Sequence, residues 1–156
     1  MNKIKISNYN PADREKIMAL LRLNTPQFFS PIEEADLADY LDHHAENYYV
    51  VEIDSIIVGC GGINLVADGI TAKISWDIIH PDSQGQGIGS ALTKFRIHKI
   101  KEMEGIKVIA VRTSQMAYQY YAKFGFELKE IVKDYWADGF DLYDMECGVD
   151  SLMTDH

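Results

Sequence analysis

The sequence has little cysteine and no long apolar run, and each shortage excludes a class of protein. Its two cysteines, Cys60 and Cys147, stand far apart and outside any Cys-x-x-Cys or Cys/His spacing. This pattern predicts neither a disulfide framework nor a zinc site and fits a reducing compartment. No stretch approaches the roughly 20 apolar residues of a membrane-spanning helix, and alternating residues follow Met1 instead of an apolar leader. We therefore expect a cytoplasmic protein with no metal and no membrane partner.

Basic residues are also few, 15 against 24 acidic ones, which gives a formal charge of -9. The negative electrostatic field of such a chain repels the phosphate backbone of nucleic acids and attracts cationic ligands, so we expect no nucleic-acid partner. Many proteins are acidic only for solubility, and the charge by itself selects no ligand. The length of 156 residues and the 47% hydrophobic content suit one domain. We expect a single domain over 1–149 and a flexible tail over 150–156.

Hydrophobic periodicity predicts a mixture of strands and helices. The second half contains a strand, helix, strand unit whose strands we expect to be parallel neighbours. Helix starts are indicated by Asn10 before Pro11 and by a capping box of Ser30 and Glu33. The predicted elements are strand 3–7, helices ending near 23 and 44, strands 48–53, 56–66 and 70–79, helix 87–105, strand 106–111, helix 117–124, and strands 126–135 and 140–147.

The helix after Gly87 is predicted to be amphipathic, with two isoleucines, Ile97 and Ile100, off its apolar stripe. The stripe is assigned to Ile88, Ala91, Leu92, Phe95 and Met103. The residues that lead into this helix form a glycine-rich turn. Its sequence is Gln84-Gly85-Gln86-Gly87-Ile88-Gly89-Ser90.

This glycine-rich turn joins a strand to a helix, and that position matters more than its composition. Glycines allow unusual backbone angles, and the unpaired N–H groups of a first helical turn attract anions. A phosphate or pyrophosphate would suit the turn, although the same glycines could merely cap the helix. No Gly-Lys-Ser/Thr follows for a P-loop, and the glycine spacing differs from the dinucleotide fingerprint.

From this turn onward the sequence resembles the GNAT superfamily of N-acetyltransferases. The family signature is Gln or Arg, two residues, Gly, one residue, then Gly or Ala, and Gln84, Gly87 and Gly89 match it. The resemblance covers 70 to about 147, whereas the first 45 residues match only in the order of elements. The other matching segments are Ile79-His80-Pro81, the block 117–126, Asp134-Tyr135-Trp136 and Asp138-Gly139. The final hairpin also resembles that of ribosomal-protein N-terminal acetyltransferases, whereas the acidic net charge suits polyamines or aminoglycosides equally.

The resemblance implies an α+β fold with a central, mixed and mostly antiparallel seven-stranded sheet. About four helices would flank the sheet, which would splay between strands 4 and 5. It also implies acetyl-CoA as co-substrate, with Ile79 pairing its backbone with the pantetheine arm. Ser114 stands where the family often has an asparagine near the cofactor. The pyrophosphate would be held by backbone amides of Gln84, Gly85, Gln86, Gly87, Ile88, Gly89 and Ser90.

Acetyl transfer needs an unprotonated amine, a polarised thioester carbonyl and a proton for the departing thiolate. Tyr121 aligns with the family tyrosine that supplies this proton, although its spacing also suits a core aromatic. Asp77 is the candidate general base, with ordered water as the alternative, and it could equally be an ordinary strand carboxylate. Backbone N–H groups at the strand splay would polarise the carbonyl. His80 is assigned to the turn and given no catalytic role.

The predicted function is direct transfer of acetyl from acetyl-CoA to a primary amine of a small molecule or protein. Four aromatic residues are candidates for the acceptor pocket or for core and lid packing: Phe28, Phe29, Tyr135 and Trp136. Two alternatives stay open, a non-catalytic CoA-binding regulatory module and a nucleotide-binding protein that uses the glycine-rich turn. Members of the family often form dimers, so a homodimer is a further expectation.

Overall fold

The computed structural model describes residues 3–151, with the backbone alone for Ser151. The described chain is α+β, as expected, and its strands are hydrogen-bonded in the order β1-β2-β3-β4-β5-β7-β6. The elements are β1 (Ile4–Asn8), α1 (Arg14–Leu23), α2 (Glu33–His43), β2 (Tyr48–Ile53), β3 (Ile56–Leu65), β4 (Thr71–Ile79), α3 (Ile88–Lys101), β5 (Val108–Thr113), α4 (Tyr118–Ala122), β6 (Glu127–Ala137) and β7 (Phe140–Gly148). Short 3-10 turns lie at Pro11–Asp13, Pro81–Ser83 and Val149–Ser151.

The described residues group into two compact units, and the prediction of a single domain over 1–149 stays a prediction. The first unit comprises 3–62 and Trp76–Thr93. In it β1 pairs antiparallel with β2, and β2 pairs antiparallel with β3. Asp54 and Ser55 join β2 to β3 with positive φ angles of 52° and 68°, as a type I′ hairpin requires.

The core of the first unit lies between its two helices and its strands. Helix α1 begins after a capping box in which the Asn10 side chain accepts from Ala12 N–H and the Asp13 carboxylate accepts from Asn10 N–H. The predicted box at the start of α2 forms in part, because the Glu33 carboxylate accepts from Ser30 N–H at 2.7 Å. The buried cluster comprises Ile17, Met18, Leu20, Leu21, Leu37, Tyr40, Leu41, Tyr48, Val50, Ile57, Cys60 and Ile78.

The second unit comprises Ile63–Ser75 and 94–151. Strands β4 and β5 pair parallel, as predicted for the strand, helix, strand unit, and the register runs from Thr71↔Val108 to Ile74↔Val111. Strand β4 continues to Ile79, past the last of these pairs. Strand β7 pairs antiparallel with both β5 and β6.

The expected apolar stripe of α3 was wrong. In α3, Ile97 and Ile100 are fully buried, whereas Phe95 and Met103 are only half-buried. A charged residue of the same helix, Arg96, is buried with them at 0% exposure. Val149, the last residue of the expected domain, is buried and donates its N–H to the carbonyl of Lys107. Most of the predicted tail, 152–156, lies outside the described residues.

Candidate active site

The glycine-rich turn lies in the first unit, between the end of β4 and the start of α3. The 3-10 turn Pro81–Ser83 precedes it, and His80 caps that turn by accepting from Asp82 N–H through Nδ1 at 3.1 Å. His80 is therefore a turn residue, as expected. Gln86 reaches back to the carbonyl of Asp82 at 3.4 Å, and the four residues Gln84–Gly87 are all exposed.

Two glycines give this turn its shape. Gly85 and Gly87 adopt φ angles of 84° and 81°, in the left-handed region that disfavours other residues. A Cβ built on either glycine would meet no atom within 4 Å, so the space over the turn is open. The first helical bond of α3 runs from Ala91 N–H to the Gly87 carbonyl at 2.9 Å. The preceding N–H groups, those of 88–90, have no acceptor one turn earlier, and the arrangement fits a pyrophosphate.

The start of α3 is anchored by close packing in the first unit. Ile88 is 1% exposed, and Gly59 of β3 lies directly beneath it. A Cβ at Gly59 would come within 2.9 Å of the Ile79 side chain and 3.3 Å of the Ile88 side chain. The absence of a side chain at 59 thus lets one strand support both the end of β4 and the helix start.

Strand β4 is strained one residue before Asp77. Trp76 has a φ of 52°, which is rare for a bulky residue. The Tyr48 hydroxyl donates to the Trp76 carbonyl at 2.8 Å. The Trp76 ring stacks on Phe29 with centroids 6.1 Å apart and lies 6.3 Å from the Tyr40 ring. A strained backbone held by several neighbours marks a candidate functional position.

Tyr48 is the residue beneath this strained strand. Its side chain is 1% exposed, and burial raises the pKa of its phenol well above the ordinary value. Cys60 and, less strongly, Tyr40 and Asp77 raise the same pKa further. Tyr48 consequently stays protonated and donates to the strand throughout the working pH range. Asp77 itself is half-buried in β4.

Ile79, the residue expected to pair with pantetheine, is engaged through its carbonyl. The side chain of Asn24 follows α1, is 2% exposed, and donates to the carbonyls of Leu20 at 2.8 Å and Ile79 at 3.1 Å. The next N–H along the chain, that of His80, donates to the Val58 carbonyl at 2.8 Å. The end of β4 is therefore fixed from two sides.

The proposed general acid, Tyr121, lies in the second unit on α4. It is 5% exposed and makes edge-on contacts with Tyr120 and Phe126, with centroids 5.1 Å and 6.1 Å apart. Ser114 lies just before this helix, where its Oγ accepts from Met116 N–H at 3.3 Å. The Ser114 hydroxyl thus shapes the entry to α4, a role that the resemblance did not imply.

The hairpin of β6 and β7 carries two of the acceptor-pocket candidates, Tyr135 and Trp136. The guanidinium of Arg112 lies 4.9 Å from the ring centroid of Tyr135 and 5.9 Å from that of Trp136. The Trp136 indole N–H donates to the Thr113 carbonyl at 3.1 Å. Phe28, the fourth acceptor-pocket candidate, is half-buried in the first unit.

The sequence did not single out three residues that shape β4 and the β6–β7 hairpin: Asn24, Tyr48 and Arg112. Asn24 ends an amphipathic helix and precedes Thr25-Pro26, a signal that marks only a helix end. Tyr48 opens the predicted strand 48–53, and Arg112 follows the predicted strand 106–111, and neither was assigned a role. In each case the partner lies far away in the sequence, so no local pattern could have revealed it.

Residues 3–151 contain no group of three or more His, Cys, Asp or Glu side chains arranged to hold a metal ion. None of the described helices is both long and apolar enough to cross a bilayer.

Comparison with known proteins identifies the family. The model of the acetyltransferase (GNAT) family matches residues 15–126. The amino-acid acetyltransferase of Pasteurella multocida is 28% identical over 115 residues, which cover 74% of this chain and 26% of that protein. The chain thus spans about a quarter of the length of this curated relative.

Solved structures share the fold. The ribosomal-protein-S18-alanine N-acetyltransferase of Escherichia coli has a TM-score of 0.77 and 19% identity, covering 94% of each chain. N-acetylglutamate synthase of Neisseria gonorrhoeae, complexed with coenzyme A and N-acetyl-glutamate, has a TM-score of 0.75 and 19% identity, covering 94% of this chain and 35% of that one. The family model covers well over half of the sequence, and the chain therefore belongs to the acetyltransferase (GNAT) family.

Proposed function

We propose that this protein is an N-acetyltransferase that moves the acetyl group of acetyl-CoA onto a primary amine by direct transfer in a ternary complex. The observation that carries the proposal is the open turn before α3. Gly85 and Gly87 hold left-handed backbone angles with free space above them, and the first-turn N–H groups of α3 follow at once. This combination suits the pyrophosphate of coenzyme A.

The backbone is assigned the binding role. Main-chain N–H groups from Gln84 to Ser90 would hold the pyrophosphate, and the end of β4 at Ile79 would lie along the pantetheine arm. Asn24 supports this second assignment because it fixes the Ile79 carbonyl from the helix side. Ser114 would make a polar contact with the cofactor, since its Oγ accepts from Met116 N–H and its O–H can still donate.

The bound co-substrate supplies an activated acetyl group as a thioester. Asp77, or a water molecule, would take the proton that an ammonium acceptor must lose before its nitrogen attacks the carbonyl carbon. Backbone N–H groups of the strained strand around Trp76 would stabilise the developing oxyanion. As the carbon–sulfur bond breaks, the Tyr121 phenol would give its proton to the thiolate, and the second proton lost by the nitrogen as the amide forms would restore the phenol directly or through water.

The named relatives support an amine of an amino acid or a protein as the acceptor. The Pasteurella multocida relative is named an amino-acid acetyltransferase. The Escherichia coli protein with a similar fold is named a ribosomal-protein-S18-alanine N-acetyltransferase. The chain covers only a part of the former, so the acceptor is proposed by analogy.

The test is an assay of the purified protein with acetyl-CoA and a panel of amines, followed by thiol release and mass spectrometry. We expect acetylated product, and Tyr121→Phe should lower kcat by about 10²-fold or more. Tyr120→Phe removes a hydroxyl from the neighbouring position of α4 and serves as the matched control. Coenzyme A binding without turnover on any amine would favour the non-catalytic module instead.

A second variant tests the turn directly. Gly87→Val should weaken coenzyme A binding by about tenfold or more, because its side chain enters the open space that the pyrophosphate needs. Gly69→Val is the matched control, since Gly69 has a φ of 77° and equally open surroundings in a different turn. Equal coenzyme A affinity of the two variants in calorimetry would contradict the assignment.

A further inference from the structure

Gly59 of β3 packs against two elements of the proposed cofactor site in the first unit. It is buried, and a Cβ at this position would come within 2.9 Å of Ile79 Cδ1, at the end of β4, and 3.3 Å of Ile88 Cγ2, at the start of α3. The φ of Gly59 lies outside the left-handed region, so other residues could adopt its backbone conformation. Glycine at this position therefore provides space and not an unusual backbone angle.

Hydrogen bonds connect the same part of β3 to the glycine-rich turn. The carbonyl of Val58 accepts from His80 N–H at 2.8 Å, and His80 Nδ1 accepts from Asp82 N–H at 3.1 Å. The Asp82 carbonyl in turn accepts from the Gln86 side chain at 3.4 Å. Strand β3 is thus connected to the end of β4 and to the turn in two ways, through packing at Gly59 and through this series of hydrogen bonds.

The two isoleucines differ in how far they can yield to a larger residue at 59. Ile88 is 1% exposed in the first turn of α3, and a close-packed side chain has little room to move. Ile79 is half-buried, and its Cδ1 is the far end of a flexible side chain. A methyl group at 59 would hence displace the Ile79 side chain first, and a larger group would also push β4 and α3 apart.

We propose that Gly59 is a positioning residue that sets the distance between the two halves of the coenzyme A site, the strand end at Ile79 and the turn before α3. The inference rests on the proposed function, which assigns pantetheine to the first place and the pyrophosphate to the second. A ligand that fills both places at the correct spacing binds more tightly than either half, because its second contact is intramolecular. Gly59 should therefore determine how strongly the protein favours complete coenzyme A thioesters over pantetheine thioesters.

The test measures the affinities of coenzyme A and of its two fragments, pantetheine and 3′-phospho-ADP, by calorimetry and ligand-observed NMR. Gly59→Val should weaken coenzyme A binding by about tenfold or more and change the affinity of each fragment by less than about threefold, because each half of the site is kept and only their spacing changes. An equal loss for all three ligands would overturn the proposal, since general destabilisation produces that result. Unchanged coenzyme A affinity would overturn it as well.

A smaller substitution keeps the proposal testable if Gly59→Val does not fold. Gly59→Ala should weaken coenzyme A binding by about threefold, because its methyl group meets Ile79 Cδ1. Ile79→Val removes that atom, so the double variant should bind coenzyme A within about twofold of Ile79→Val alone. Ile88→Val is the matched control and should restore nothing, because valine keeps the Cγ2 atom that lies 3.3 Å away. No rescue by Ile79→Val, or equal rescue by Ile88→Val, would overturn the proposal.

Gly62→Ala controls for a tight substitution elsewhere in β3. Its Cβ would come within 2.6 Å of the Tyr48 ring, and its other nearest atoms belong to Tyr40 and Asn47. This variant should leave the ratio of coenzyme A affinity to fragment affinity within about twofold of the wild type. A loss of the ratio as large as that in Gly59→Val would contradict the assignment of the effect to spacing.

Acetylation assays separate this inference from the proposed function. Coenzyme A binding that depends on Gly59 as expected, with no amine acetylated, would sustain the positioning role and remove the acetyltransferase proposal. Acetylation by wild type and Gly59→Val with the same ratio of kcat/KM for acetyl-CoA and S-acetylpantetheine would do the reverse.

Discussion

Replacing Tyr48 by phenylalanine tests whether a buried hydroxyl holds the strained part of β4. Tyr48 is 1% exposed, and its hydroxyl donates to the Trp76 carbonyl at 2.8 Å. The variant keeps the ring and its edge-on contacts with Tyr9 and Tyr40, whose centroids lie 5.9 Å and 5.4 Å away. The perturbation is therefore confined to one hydroxyl and the carbonyl that it satisfies.

The expected cost follows from the loss of this hydrogen bond in a buried place. A carbonyl left without its donor costs about 1 to 3 kcal/mol of folding free energy. For a chain of this length, that corresponds to a fall in Tm of about 3 to 9 °C. Because the pKa of Tyr48 is raised well above its ordinary value, the hydroxyl is protonated throughout. The fall should thus be the same from about pH 6 to pH 9.

The assay is thermal unfolding by circular dichroism together with steady-state kinetics. If the strained strand presents its N–H groups to the thioester, kcat should fall while KM for acetyl-CoA stays within about twofold. Tyr9→Phe is the matched control, because no hydrogen bond of the Tyr9 hydroxyl exists within residues 3–151. It should shift the unfolding free energy by less than about 0.5 kcal/mol. A Tyr48→Phe protein as stable as the wild type would refute the reasoning.

Three other substitutions probe the first unit. Gly62→Ala should lower Tm by an amount equivalent to about 1 to 3 kcal/mol, since the new Cβ would come within 2.6 Å of the Tyr48 ring. Asn24→Ala should cost a similar amount in urea unfolding, because the buried Leu20 carbonyl and the partly buried Ile79 carbonyl lose a donor. Burial raises the pKa of Glu33, so the folded state binds its proton more tightly than the unfolded state. Glu33→Gln should accordingly gain stability relative to wild type as pH rises from about 4 to neutrality, and a constant difference in Tm would contradict this.

Most helices and strands could be predicted from the sequence, because the signal that marks each of them spans only a few residues. Asn10 begins the first helix region with a full capping box, and Asp54 with Ser55 forms the predicted tight hairpin. The change from alternating to helical periodicity near Gly87 marked the strand, helix, strand unit, whose strands are parallel as expected. The core of α3 was harder, since a buried Arg96 breaks the rule that charged residues lie outside.

The features of the candidate site also fall into two groups, those that local sequence predicts and those that depend on distant residues. The turn before α3 could be predicted because its glycines are required by backbone angles that other residues avoid. The contact from Asn24 to the Ile79 carbonyl could not, because it joins positions 55 apart in the chain. The same holds for Arg112 and its two rings, which meet only through the β5–β7 and β6–β7 pairings.

Trp76 is the most informative of the unpredicted features, because nothing in its residue type suggests a left-handed backbone. A strained residue of this kind costs about 1 to 3 kcal/mol, and it persists only where neighbours determine the conformation. Here those neighbours are the Tyr48 hydroxyl on its carbonyl and the Phe29 ring on its side chain. A glycine at 76 would avoid the strain but lose the stacking, so the large ring and the unusual angle have to occur together. Since the next residue is Asp77, the proposed general base, the strain falls where the proposed chemistry would take place, and a fall in kcat of the Tyr48→Phe protein is the measurement that tests this link.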